Sequence, residues 1–283
     1  MIKQPGSVRL HPLLAGALLC AGLLLAESSS AQNPSRQPVP GAQAGPGGRG
    51  MRGPNFAGQP TIKALMVAGG CCHDYPGQAA IFMKQLQNVL PIDWTFAYLG
   101  GTRGRVVPTL YNDPNWYEGY DIVVHNECFT PGDSLVSLQY LDNIQAATRA
   151  GVPAMVLHCA MHTFRAEPTD QWREVQGLKS VRHGPATRIP VQVVEAFHPV
   201  MQGIPGDWVT PIDEIYIIDW TRPGLTPLAT AVEPSNGQTY PVIWVHENDA
   251  RVFGTSIGHS MATWEDPLYQ QLLVQGFRWA TQR

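Results

Sequence analysis

Short, almost continuously apolar runs alternate with amphipathic stretches along this chain, and this alternation limits the folds that it can adopt. The runs that we predict as strands are 62–68, 94–99, 122–125 and 152–157, and the stretches that we predict as helices are 78–89 and 135–149. Strands that are apolar on both faces are typical of a parallel sheet with helices packed on both sides. The first half of the chain therefore predicts a parallel α/β sheet.

The second half of the chain is richer in strands. We predict them at 189–195, 214–219, 228–232, 242–246 and 252–256. Asn248-Asp249 is typical of a hairpin turn between the last two strands, and Asp266-Pro267 is a typical start for a helix that runs to about Ala280. We expect one α/β domain with an extended mixed sheet.

The start of the chain predicts export. Lys3 and Arg9 precede the apolar residues 13–26, and Ser29-Ser30-Ala31 places small residues where signal peptidase requires them. The apolar stretch is shorter than the roughly 20 residues that span a bilayer. We therefore expect a signal peptide at 1–31, no integral membrane segment after processing, and a periplasmic or secreted protein.

Composition separates a linker from the folded domain. Residues 32–60 are rich in Gly and Pro and hold no acidic residue, which is typical of a disordered tether. The remaining 61–283 carry 14 Lys and Arg against 21 Asp and Glu, a net charge of −7. A mildly acidic domain without a basic stripe argues against nucleic acid as a partner.

Polar residues follow three of the predicted strands. The segments are Cys71-Cys72-His73-Asp74, His125-Asn126-Glu127-Cys128 and His158-Cys159-Ala160-Met161-His162. In open α/β sheets, ligands bind at the carboxyl ends of the parallel strands. Four of the eight histidines of 61–283 lie in these loops, so we expect the three loop tips to converge on one cavity.

Several blocks of the sequence resemble the trehalose-utilisation (ThuA-like) family. They are YDIVVHNECF, VPAMVLHCAMHTFR, the WREVQGL and RHG segments, FHPVMQGIP, DEIY and the stretch from PVIWVHENDARVFGTSIGHS to the carboxyl terminus. The resemblance covers nearly all of 61–283. It implies a flavodoxin-like, class I glutamine amidotransferase-like three-layer sandwich with a mostly parallel sheet, and a role in disaccharide and glycoside utilisation that includes 3-keto sugars.

Cys159 invites two interpretations. A thiolate at a strand-to-helix turn beside His158 or His162 would be an activated nucleophile. The neighbours two positions away, Leu157 and Met161, are not the small residues that such a turn needs, so we favour a scaffold role or a disulfide. We expect at most one disulfide among Cys71, Cys72, Cys128 and Cys159, with Cys128 joined either to Cys159 or to one of the first two.

A metal centre is the second alternative. His158 and His162 are four residues apart, which places both on one face of a helical turn, and His125 and Glu127 share one side of an extended segment. These four residues could supply a complete ligand set. No HExxH-type signature accompanies them, so we expect no cofactor while keeping a divalent metal as the runner-up.

We favour acid–base chemistry on a sugar, because imidazoles and carboxylates tuned near neutral pH move protons at keto groups and leaving oxygens. The predicted catalytic residues are Glu127, His158, His162 and Glu214. The predicted substrate-binding residues are His73, Asp74, His125, Arg165, His183, Tyr216, His259 and Trp264. The alternatives are metal-assisted hydrolysis in the same pocket and a sugar-binding domain without activity.

Overall fold

An eight-stranded sheet organises the protein. The computed structural model describes residues 54–100, 108–129 and 134–282. The predicted signal peptide and the predicted linker up to residue 53 lie outside these residues. Among the described residues, no helix has the length and apolarity needed to cross a membrane.

From β1 to β4 the elements follow one another in the order that the alternation predicts. The strands are β1 (Ile62–Gly70), β2 (Ile92–Tyr98), β3 (Ile122–Cys128), β4 (Ala154–Leu157), β5 (Leu178–His183), β6 (Thr187–Pro190), β7 (Gln192–Val193), β8 (Val209–Asp213), β9 (Tyr216–Thr221), β10 (Thr226–Val232), β11 (Thr239–Glu247) and β12 (Arg251–Thr255). The helices are α1 (Tyr75–Gln87), α2 (Ser134–Arg149), α3 (Gln171–Gln176), α4 (Met261–Glu265) and α5 (Pro267–Thr281). Short 3-10 helices occupy Thr109–Asn112, His158–His162 and Pro199–Met201.

The strand order confirms the predicted flavodoxin-like core. The large sheet runs β2-β1-β3-β4-β12-β11-β10-β7. Its first five strands pair in parallel and reproduce the flavodoxin-like order, with β12 as the fifth strand. The last three strands extend the sheet by antiparallel pairing, which is the mixed, strand-rich second half that the sequence predicts.

Helices cover both faces of the sheet and complete the three-layer sandwich. One face packs against α1 and α5, where Phe82 and Phe277 are fully buried. The other face packs against α2 and α3, where Tyr140 and Trp172 are fully buried. The central strands are therefore apolar on both sides, and this explains the continuous apolar runs.

Helix starts follow the local chemistry of the sequence. Asp266 accepts a hydrogen bond from the backbone N–H of Leu268 at 2.9 Å, and Pro267 opens α5 as expected. Asp74 caps α1 in the same manner, accepting from the backbone N–H of Gly77 at 3.1 Å. This cap starts α1 three residues before the periodic apolar pattern that predicts it.

The region between β4 and β10 departs most from the sequence prediction. The predicted strand at 189–195 is divided between β6 and β7, and β5 and β8 are additional strands. They form two small antiparallel sheets, β5 with β9 and β6 with β8. Their mixed burial lacks the alternation that a sequence pattern can detect.

The prediction of at most one disulfide is wrong. Cys128 bonds to Cys159, as one of the two alternatives requires, and Cys71 bonds to its neighbour Cys72. A bridge between adjacent residues lay outside the alternatives considered from the sequence. Cys128 and Cys159 can meet because β3 and β4 are neighbours in the sheet.

The Cys128–Cys159 bridge predicts a large stability effect. It closes a chain loop with a sequence separation of 31, so its loss in a Cys128→Ala/Cys159→Ala variant should lower the free energy of unfolding by about 3 to 4 kcal/mol. Urea denaturation measures this difference.

The matched control is Cys71→Ala/Cys72→Ala, which removes a bridge that closes no loop and should cost about 1 kcal/mol or less. Equal losses in the two double variants, or four free thiols in the unreduced protein, would contradict the assignment.

Candidate functional site

The carboxyl ends of β1, β4 and β12 meet at one edge of the sheet. The chain leaves β1 through Gly69 and Gly70, and a Cβ atom on Gly70 would lie 2.0 Å from the carbonyl oxygen of Cys128. This close approach requires glycine and brings the segment that carries His73 against the end of β3. Two of the three predicted loop segments, those that carry His73 and His158, therefore meet at this edge, while His125 and Glu127 lie within β3 and the third contributor is the end of β12.

His158 occupies a strained turn directly after β4. Its φ of +46° lies in the left-handed region, which residues other than glycine rarely adopt. The imidazole Nδ1 lies 2.6 Å from the carbonyl oxygen of Ser256, at the end of the neighbouring β12. Gly258 makes room for this turn, because a Cβ atom there would lie 3.0 Å from that of His158. The backbone thus directs the imidazole of His158, rather than the thiol of Cys159, into the site.

Three imidazoles from three loops lie side by side. The ring centroid of His73 is 4.8 Å from that of His158 and 5.2 Å from that of His259, and the rings meet edge to face. His158 and His259 are separated by 5.6 Å between centroids. These histidines are far apart in the sequence, and only the parallel strand register brings them together.

Glu214 lies next to these imidazoles. Its Oε2 is 3.4 Å from Nδ1 of His259 and 3.8 Å from Nε2 of His158, and its Oε1 is 3.5 Å from Nδ1 of His183. The Glu214 side chain is 12% exposed, so a ligand can reach it. We refer to His73, His158, His259 and Glu214 as the edge cluster.

Burial keeps two of the edge imidazoles, those of His73 and His158, neutral. It lowers the pKa of His73 to about 4, with the nearby His259 as the next contribution. Burial likewise lowers the pKa of His158 well below its usual value, and the neighbouring His73 adds to this effect. Near neutral pH both rings therefore offer a nitrogen lone pair.

Asp213 anchors the loop that carries His259, and the sequence interpretation missed this role. Its carboxylate accepts hydrogen bonds from the backbone N–H groups of Gly258 and His259 at 3.0 to 3.2 Å, and from Oγ1 of Thr263 at 2.7 Å. Burial raises the pKa of Asp213 to about 6, while these hydrogen bonds act in the opposite direction. The adjacent acidic pair Asp213-Glu214 was the available signal, and only its second member was predicted in the site.

An aromatic stack lines the flank of the edge cluster. The ring of Tyr216 stacks on His162 at 4.0 Å between centroids and on His183 at 5.6 Å. Nε2 of His162 lies 3.0 Å from Oγ of Ser180, and the guanidinium of Arg165 donates to its Nδ1 at 3.3 Å. Both ring nitrogens of His162 thus have protein partners, while His183 remains exposed.

His125 and Glu127 form a separate group, which we name the inner cluster with Tyr111. Oε1 of Glu127 lies 2.9 Å from Nδ1 of His125 and accepts from the hydroxyl of Tyr111 at 2.8 Å. Glu127 has no solvent exposure, and no other described residue donates a hydrogen bond to its Oε2. The four residues of the predicted metal set are therefore divided, with His158 in the edge cluster, His162 in the aromatic stack, and the other two in the inner cluster.

Two further predicted site residues have structural contacts. Asp74 caps α1. Trp264 is fully buried and donates from Nε1 to the carbonyl oxygen of Gly258 at 2.8 Å. Both side chains hold the backbone near the edge cluster, and Trp264 has no surface for a ligand to contact.

The disulfide between Cys128 and Cys159 removes the nucleophile alternative. A bridged sulfur carries no thiolate, so Cys159 cannot attack a substrate in this state. The scaffold role that we favour for Cys159 agrees with this bond.

The hydrogen bonds of Asp213 lead us to expect that its substitution destabilises the protein. In Asp213→Asn an amide N–H₂ would face backbone donors, so the free energy of unfolding should fall by about 2 kcal/mol. The control is Asp219→Asn, which breaks an exposed pair with Arg182 and should cost less than about 1 kcal/mol. Denaturant unfolding measures both, and equal effects would contradict the anchoring role.

The lowered pKa of His162 predicts that the folded protein loses stability at acid pH. Burial, followed by the charge of Arg165, lowers its pKa to about 3, against about 6.5 in the unfolded chain. Protonation therefore favours the unfolded chain, and stability is full above about pH 6.5 and declines as the pH falls towards 3. Between pH 7 and pH 5 the free energy of unfolding should fall more for the native protein than for His162→Gln. Equal decreases in the two proteins would refute this prediction.

Comparisons with known proteins agree with this architecture. A ThuA-like protein from Parabacteroides merdae has a TM-score of 0.60 at 20% identity, covering 78% of this chain and 90% of its own. A ThuA-like protein from Bacteroides uniformis has a TM-score of 0.62 at 18% identity, covering 80% and 94%. At these identities the likeness is one of fold.

Sequence comparison extends the agreement from fold to family. A search of the curated proteins finds no match to this chain. The ThuA family model, described as trehalose utilisation, matches residues 81–280. This range includes the second and third polar loops and every side chain of the edge cluster except His73. The chain therefore belongs to the ThuA family.

Proposed function

We propose that this protein is an exported enzyme of disaccharide or glycoside utilisation, which acts on a sugar by proton transfer at the edge cluster. The family description supports a role in sugar utilisation. The features of residues 1–31 support export, and so do the two disulfides, because such bonds persist in oxidising compartments.

The position of Glu214 is the observation that carries the proposal. Its two oxygens lie 3.4 to 3.8 Å from nitrogens of three different imidazoles, at the edge where ligands bind in this class of sheet. A carboxylate surrounded by neutral or exposed imidazoles can accept a proton from a substrate and release it again. Glu214 is therefore the proposed general base.

A keto sugar or a glycoside derived from one fits this chemistry. The proton on a carbon beside a carbonyl passes to Glu214, and the electron pair of the broken C–H bond moves onto the carbonyl oxygen. In a cleavage, the carbonyl then re-forms, the electron pair makes a double bond from the deprotonated carbon to the next carbon, and the oxygen substituent on that next carbon leaves with the proton held by Glu214. In an isomerisation, the enolate oxygen takes a proton, the hydroxyl on the deprotonated carbon loses one and becomes the new carbonyl, and Glu214 returns its proton to the former carbonyl carbon.

Two of the remaining predicted residues, His183 and Arg165, are suited to bind the substrate. His183 and Arg165 are exposed beside the aromatic stack, where they can donate to sugar hydroxyls. The inner cluster contacts no solvent, so we assign Glu127 and His125 to holding the end of β3 in place. The proposed reaction requires no nucleotide cofactor.

Incubation of the protein with 3-keto-glycosides and their parent sugars tests the proposal, with product analysis by mass spectrometry. The native protein should convert a keto-glycoside, and Glu214→Gln should lower turnover by a factor of about 10² to 10⁴ while sugar affinity persists. Sugar binding without turnover in the native protein would identify a binding domain instead.

The matched control is Glu195→Gln, the same change at an exposed position outside the site, and it should leave turnover unaltered. Glu127→Gln in the same assay separates the two clusters, because a positioning role predicts a smaller loss of turnover than Glu214→Gln. Full activity in Glu214→Gln would remove the site assignment.

A further inference from the structure

Three imidazoles of the edge cluster lie at distances that suit a shared metal ion. Among residues 54–100, 108–129 and 134–282, His73, His158 and His259 each offer a ligand atom, and these three atoms lie within 4.8 Å of one another. Three nitrogens bound to a tetrahedral zinc ion at about 2.1 Å lie about 3.4 Å apart. Small rotations of the side chains would therefore bring all three nitrogens into bonding distance.

Backbone carbonyl groups set the orientation of two of these rings. Nδ1 of His73 lies 3.2 Å from the carbonyl oxygen of His259, and Nδ1 of His158 lies 2.6 Å from that of Ser256. A carbonyl oxygen only accepts, so each Nδ1 carries the hydrogen and each Nε2 keeps its lone pair. Histidines that bind metals are held in this way, with the outer nitrogen donating to a backbone oxygen or a carboxylate.

The third ring is held through its main chain. Asp213 accepts from the backbone N–H of His259 at 3.1 and 3.2 Å, and it fixes the loop from which this imidazole projects. Within the part of the chain that the structure describes, Nδ1 of His259 has no well-aligned hydrogen-bond partner, although Oε2 of Glu214 lies 3.4 Å away. A partly buried ring nitrogen without a hydrogen-bond partner is an additional sign that a ligand belongs here.

We propose that His73, His158 and His259 bind one divalent transition-metal ion of the zinc type, with the fourth coordination position open towards Glu214. Imidazole nitrogens favour zinc and its neighbours over magnesium or calcium, which prefer oxygen ligands. Catalytic zinc sites commonly hold three protein ligands and leave the fourth position to water or substrate. This ligand set shares only His158 with the one expected from the sequence.

The ion would assist the proton transfer proposed for Glu214. This part of the inference rests on the proposed function. A divalent ion polarises a carbonyl oxygen and stabilises the negative charge that forms when the neighbouring carbon loses a proton. Glu214 is next to the open position and receives that proton. A keto sugar is therefore a suitable ligand for the ion and the base together.

Zinc binding by the full chain tests the inference, without reductant so that the disulfides stay closed. The protein is treated with a chelator, dialysed and titrated with Zn²⁺ by calorimetry, and Co²⁺ serves as the spectroscopic probe. We expect one Zn²⁺ per chain and the visible bands of tetrahedral Co²⁺. The variants His73→Ala and His259→Ala should each weaken Zn²⁺ binding by on the order of 100-fold or more.

The control is His198→Asn, which alters a histidine outside the edge cluster and keeps a side-chain acceptor for the backbone N–H of Val200. It should bind Zn²⁺ as the native protein does, and circular dichroism checks that every variant folds. No stoichiometric Zn²⁺ binding by the native protein would overturn the inference. Unchanged affinity in both alanine variants would overturn it too.

The two proposals fail separately. If the chelator-treated protein converts a keto sugar but does not bind Zn²⁺, the metal centre is overturned and the proposed function stands. Stoichiometric Zn²⁺ binding that depends on His73 and His259, in a protein without activity on any sugar of the panel, would support the metal centre and overturn the proposed function.

Discussion

Parallel pairing of β1, β3, β4 and β12 is the constraint on which the site depends. In register, Leu157 lies opposite Thr255, so His158 and Ser256 are the next residues on neighbouring strands. The hydrogen bond from the imidazole of His158 to the carbonyl of Ser256 follows from that pairing. A slip of one residue between these strands would remove the contact and turn the strand faces over.

The turn at His158 shows how one backbone geometry can serve different chemistry. A sharp turn with positive φ after a strand exposes the residue at its tip, and in α/β-hydrolases that residue is a nucleophile. Here the tip carries an imidazole, and the next residue, Cys159, is tied to Cys128. Such a conformation costs about 1 to 3 kcal/mol of strain. In this protein it places a base or a metal ligand, rather than a nucleophile, at the edge of the sheet.

The sequence predicts the core of the fold and part of the site. Residues 62–68, 122–125 and 152–157 are apolar on both faces and leave little choice of element, and the loops that follow them carry His73 and His158 to one edge. A local pattern gives the face of an element on which a side chain lies, but not the groups from other elements that enclose it. Glu127 is expected in the loop after the strand, yet it lies within β3 and its carboxylate contacts Tyr111 and His125.

The role of Asp213 and the pairing of Cys71 with Cys72 depend on contacts that no spacing specifies. Asp213 bonds to a loop more than 40 residues away, and adjacent cysteines can close a bridge only when the backbone turns between them, as at Cys72 with its φ of +86°. The four residues of the metal set expected from spacing are divided among separate groups for a similar reason. Spacing describes one loop at a time, whereas the three imidazoles come from three loops.

The Cys128–Cys159 bond, described above as part of the scaffold, also bears on how the protein meets a ligand. It joins the end of β3 to the strained turn at His158. The entropic cost of ordering that turn therefore arises once, during folding, and does not recur each time a ligand binds. A receptor whose groups are already in position gains affinity and reacts without rearranging. We expect a rigid, preorganised recess, in which selectivity comes from the shape and charge of the ligand and little from induced fit.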